Sequence, residues 1–99
     1  SCARFFGGWA GTWSLGNYGQ QRLWVFGIKP DCTAKVSFRS SDSNDAPKSF
    51  STRKIADGVL TVPCGNNGSC LFESHGDEVW GRYTDSNSDR NNGSFKKIQ

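Results

Sequence analysis

Methionine is absent from this chain, histidine occurs once and proline three times. No apolar run approaches the roughly 20 residues that a membrane-spanning helix needs. No segment carries the 3.6-residue apolar period of an amphipathic helix of ordinary length. The chain also lacks a phosphate loop, a G-x-S-x-G elbow, an H-E-x-x-H pair and a dinucleotide fingerprint, so the reactions those motifs serve have no visible machinery. There is no C-x-x-C pair and His75 stands alone, which leaves a zinc site without a ligand set. No metal and no cofactor is expected. A charge excess is scarce too: 12 Lys and Arg stand against 9 Asp and Glu, a net charge of +3. The basic residues are scattered, whereas a nucleic-acid binder presents a dense basic stripe, so nucleic acid is not an expected partner.

What the chain does have points to one small β domain. Its 99 residues allow a single domain, residues 1–99, with one modest core. Aromatic residues make up 13%, too many for a disordered chain, and glycine is frequent. Four cysteines, Cys2, Cys32, Cys64 and Cys70, form an even set in a short chain. That favours two disulfides and an oxidising, secreted or periplasmic compartment. Cys64 and Cys70 flank the turn sequence "GNNGS", which pairs them and leaves Cys2 for Cys32. No signal-peptide pattern opens the chain, so it reads as a mature or trimmed secreted form. The alternative for Ser1-Cys2 is the end of a lipoprotein cleavage site, with a lipid anchor on Cys2.

Turn pairs divide the chain into short extended runs. Asp57-Gly58 separates "SFSTRKIA" from "VLTVPC", and Asn67-Gly68 lies inside the proposed Cys64–Cys70 ring. "SHGD" joins "CLFE" to "EVWGRY", and "KPDC" returns "RLWVFGI" into "TAKVSFRS". The predicted strands are Gly8–Leu15, Arg22–Ile28, Thr33–Arg39, Ser49–Ala56, Val59–Cys64, Cys70–Ser74, Glu78–Tyr83 and Ser94–Ile98. Short loops join each to the next, which predicts an all-β antiparallel meander closed into a barrel of about eight strands. A partly open barrel or a small sandwich is the alternative. "SSDSNDAPKS" and "TDSNSDRNNGS" read as polar surface loops. Asn67-Gly68-Ser69 and Asn92-Gly93-Ser94 match the glycosylation sequon, although Asn-Gly turns account for both.

Alternation assigns the faces. Trp9, Gly11, Trp13 and Leu15 share one face, read as core. Ala34, Val36 and Phe38 point inward, as do Val79, Gly81 and Tyr83. "RLWVFGI" is apolar on both faces, with Leu23 and Val25 on one and Trp24, Phe26 and Ile28 on the other. Only one set fits inside a small barrel, so the other must cover something, line a cavity or lie exposed.

Two pieces resemble the calycin class of β-barrels, which includes lipocalins and avidins. The first is Gly11-Thr12-Trp13 on the first strand, a Gly-x-Trp. The second is "WGRYTD", Trp80–Asp85, similar to the glycine-containing strands of avidin-type barrels. The resemblance implies a meander barrel. It does not extend to biotin binding, because Ser14, Leu15, Gly16 and Asn17 do not reproduce the polar set that follows Gly-x-Trp in avidins.

The expected function is non-catalytic binding of a protein or carbohydrate partner. Arg22 with Trp24, and Trp80 with Arg82, each place arginine and tryptophan on one strand face. With Phe26 they form an expected aromatic and cationic platform. One alternative is an inhibitor, immunity factor or secreted effector that inserts a polar loop, 40–49 or 85–93, into a hydrolase or host protein. A second is a small hydrolase using His75 with Glu73 or Asp77.

Overall fold

The computed structural model describes residues 1–99. Eight strands follow a short 3₁₀ turn, Cys2–Phe5: β1 Gly7–Trp13, β2 Gln21–Phe26, β3 Thr33–Ser40, β4 Ser51–Ala56, β5 Val59–Cys64, β6 Gly68–His75, β7 Glu78–Asp85 and β8 Arg90–Lys97. Each pairs antiparallel with its neighbours in sequence, and β8 pairs with β1 to close the barrel. Closure gives every strand a neighbour on both sides, with β4 and β5 meeting over only two residue pairs next to their turn. Disulfides join Cys2 to Cys32 and Cys64 to Cys70. The first excludes the lipid anchor considered for Cys2, because its sulfur is already bonded. Both bridges fit an extracellular or periplasmic setting. No helix is long and apolar enough to cross a membrane.

Local chemistry explains most of the boundaries. Asp57 and Gly58 both adopt positive φ, 53° and 77°, as a two-residue hairpin turn requires. Gly27, at φ 59°, ends β2 at Phe26, short of Ile28. β1 ends at Trp13, so Leu15 leaves the expected core face and is exposed. β8 begins at Arg90, four residues before the predicted start, and Asn92-Gly93 is strand rather than turn. Gly93 lies opposite both Gly81 and Trp13. A Cβ there would sit 2.8 Å from the Thr12 carbonyl oxygen and 3.0 Å from the Trp13 ring. That close approach, and not a turn, is what needs glycine.

The interior is filled. Leu23, Val25, Leu60, Phe72, Val79 and Phe95 are fully buried in one cluster with Trp9, Val36 and Ile55. Phe38, Phe72 and Phe95 pack edge-to-face across it, with Phe38 and Phe72 centroids 4.9 Å apart. One end, the base, is plugged. Phe5 is buried there, the Trp9 indole N–H donates to the Phe5 carbonyl at 2.9 Å, and Lys97 Nζ donates to the Phe6 carbonyl at 2.6 Å. The other end, the mouth, carries residues 14–20, 41–50, 65–67 and 86–89, which include the longest connections.

Candidate functional site

The five predicted site residues fall into two separate places. Arg22, Trp24 and Phe26 face outward from β2, and Trp80 and Arg82 face outward from β7, with β1 and β8 between them. The expected single platform does not form, because pairing of β8 with β1 inserts two strands between its halves. Nor is Trp24 a surface residue. It is only 2% exposed, it lies over Gly8, and it stacks on Phe26 at 5.7 Å. Phe6 and Phe50 meet Phe26 edge-on.

The strap at residues 41–50, in which Pro47 is buried, runs along the same outer face, where its Phe50 meets Phe26. Arg22 holds that strap. Its Nε donates to Asn44 Oδ1 at 3.1 Å and its Nη2 to the Asp42 carbonyl at 3.2 Å, while Nη1 donates to Gln20 Oε1 and the Gln21 carbonyl. The second apolar face of "RLWVFGI" therefore covers the barrel wall and is covered in turn, a small core outside the main one.

On β6 and β7 the outer face is open. Trp80 is 51% exposed and its ring stacks on His75, with centroids 3.8 Å apart. Glu73 lies 3.6 Å from His75 Nε2 and 3.7 Å from Arg82 Nη2, and the Trp80 N–H donates to Glu78 Oε1. His75 and Glu73 thus occupy a convex sheet surface. Asp77 faces a different recess, at the base, with Arg4, Trp9, Gly76 and Lys97. The Ser74 hydroxyl is buried on the opposite side of the strand and has no hydrogen-bond partner.

A concavity opens at the mouth, a cup of about 1010 Å³. Trp13 and Phe38, packed edge-on at 6.0 Å, line its floor above the filled core. Tyr18 and Tyr83 line its sides with Leu15, and Cys70 lies among its lining residues. Arg39, Arg90, Asp89, Asn66 and Asn87 add polar groups to the wall. Alternation puts Trp13 on a core face and turns Phe38 and Tyr83 inward. Their strand faces are indeed inward, but they occupy the last inward positions before the open end, where no further layer covers them. The parity was legible; the depth was not.

The mouth is held in shape by its own hydrogen bonds. Asn91, buried and facing inward, donates to the Leu15 carbonyl at 2.8 Å and accepts from the Leu15 amide at 2.9 Å, which fixes the 14–20 connection to β8. Gln21 Nε2 donates to the Tyr18 carbonyl and to Ser40 Oγ. Asp85 orders the 86–89 turn: Oδ1 accepts from the amides of Asn87 and Asp89, and Oδ2 accepts from the Tyr83 hydroxyl at 2.9 Å. Burial alone would push the Asp85 carboxyl up, but the Tyr83 hydroxyl and the two amides outweigh it and hold it below its ordinary value. The hydrogen bond to that carboxylate, then burial, pushes the Tyr83 phenol up. Loops 41–50 and 86–89 are thus both tethered to the barrel. No family model, no curated protein and no solved structure matches the chain.

Proposed function

We propose that this chain is a secreted, non-catalytic binding protein that holds a saccharide-type ligand at the barrel mouth. One observation carries the reading: an open cup of about 1010 Å³ whose floor and sides are aromatic and whose rim is polar. Its volume is at the upper end for small-ligand sites. Trp13, Tyr18, Phe38 and Tyr83 offer ring faces to the C–H face of a sugar. The side-chain amides of Asn66 and Asn87 make no hydrogen bond within the chain and are open to hydroxyls. The filled interior below supports a ligand that rests in the mouth rather than one enclosed in the barrel. Loop-inserting inhibition and hydrolysis at His75 draw less support, from the tethered loops and from the convex surface around His75.

A second reading keeps Trp80 and Arg82 as the contact surface for a protein partner, favoured by the half-exposed Trp80 ring. Titration of oligosaccharides against intrinsic fluorescence separates the two. Tyr18→Ala, at a ring 66% exposed, should weaken saccharide binding about tenfold, roughly 1.4 kcal/mol, without a change in thermal midpoint. Trp80→Ala should leave that titration unchanged. The reverse pattern would move the site to the outer face.

A further inference from the structure

We infer that the mouth ligand is acidic, a saccharide whose carboxylate or sulfate group is taken by Arg39. The inference rests on the mouth reading and adds the charge of the ligand to it. Arg39 lies at the mouth end of β3 on the same outer face as Arg22, is exposed, and borders the cup at its rim. Its guanidinium makes no hydrogen bond and no ion pair within the chain; the two ion pairs of the molecule are both on Glu73. Its donors are free to form the paired, forked contact that guanidinium makes with carboxylate or sulfate.

The residue directly opposite Arg39 on β2 is Arg22. Like charges directly opposite each other across a ladder repel, whereas an opposite-charge pair is favourable there. Arg22 is only 7% exposed, and every acceptor around its guanidinium is a neutral oxygen: Asn44 Oδ1, Gln20 Oε1 and the carbonyls of Gln21 and Asp42. A buried cation without a counter-charge is screened less than one in water, so its field adds to that of Arg39 on the β2–β3 side of the mouth. The strap carboxylates of Asp42 and Asp45 are exposed, and neither reaches ion-pair distance of a guanidinium.

The remaining charges of the cup follow the same division. Arg90 is a further cation without an ion pair or hydrogen bond, and Asp89 has a free carboxylate. The Asp85 carboxylate is hydrogen-bonded by the Tyr83 hydroxyl and two amides, all neutral donors, so it keeps its negative charge; it lies with Asp89 on the β7–β8 side of the mouth, across from Arg39. An anionic group placed at Arg39 meets, on the β2–β3 side, two guanidinium charges that no carboxylate pairs. A neutral sugar leaves them unanswered. The sugar ring then lies on Trp13 and Phe38, with its hydroxyls toward Asn66, Asn87 and Asp89.

Calorimetric titration of the oxidised full chain tests this with three backbone-matched oligosaccharides: neutral, uronate-containing and sulfated. The acidic forms should bind at least about tenfold tighter than the neutral one, and that preference should shrink between low and moderate salt. Arg39→Gln should abolish the preference, Arg39→Lys should restore part of it, and Arg82→Gln on the outer face should leave it intact. The uronate and sulfate arms identify which acid is preferred. Equal binding of all three sugars, unchanged in Arg39→Gln, overturns the inference and leaves the mouth reading standing. Equal loss in Arg39→Gln and Arg82→Gln reduces it to an effect of net charge and also overturns it. No binding of any sugar removes both.

Discussion

Gly81 faces the barrel interior between two phenylalanine rings. A Cβ at this position would lie 2.9 Å from Phe95 Cε2 and 3.1 Å from Phe72 Cε1. Gly81→Val should therefore destabilise the barrel by about 1–3 kcal/mol through overpacking, read as a lower midpoint in urea unfolding. Tyr83 and Asp85 make a prediction in pH. The Asp85 carboxyl is depressed in the folded chain, so its contribution to stability is present above its unfolded value and is lost as pH falls through the folded value. Tyr83→Phe removes the hydroxyl that donates to Asp85 Oδ2. The Asp85 titration, followed by carboxyl NMR, should then move upward toward the ordinary range. The order of inward and outward residues was legible at this scale. The hydrogen bonds that give Asn91 and Asp85 their roles were not, because the Asn91 partner lies in the distant 14–20 connection and the Asp85 partners depend on how a turn closes.

Strand β2 shows how an element acquires a second core. Its alternation correctly separates Leu23 and Val25 from Trp24 and Phe26, but sequence alone leaves open what covers the outer set. The strap at 41–50 answers, latched by Arg22. Trp24→Ala should cost about 3–5 kcal/mol in chemical unfolding, as a buried aromatic truncation does and an exposed platform residue does not. Strand β8 gives the converse lesson. "DSNSDRNNGS" has the composition of a loop, yet Arg90–Ser94 pairs with β7, and Gly93 and Ser94 pair with β1 as well, because barrel closure supplies that second partner. Propensity loses to hydrogen bonding where two neighbours are already in place.

At the scale of the whole molecule, two staples and a filled barrel hold a chain whose core is small. The Cys2–Cys32 bridge closes a span of 30 residues and the Cys64–Cys70 bridge a span of 6. In the chain-entropy model, replacing the first pair by serine should cost about 1.4 kcal/mol more than replacing the second, measured by thermal unfolding of each double variant. Fold class, strand number, disulfide pairing and hairpin order follow from local signals: alternation, Asp-Gly and Asn-Gly turns, and an even cysteine count. These depend on neighbours in sequence, so the sequence by itself determined them. Which aromatic residues become floor, wall or hidden packing depends on the closing of β8 onto β1 and on the path of one strap. Closure separated Trp24 from Trp80 and placed Trp13, Phe38 and Tyr83 at an open end. Only the tertiary structure decided these, because inward parity repeats every two residues along a strand while depth and adjacency are set by register between strands far apart in the chain.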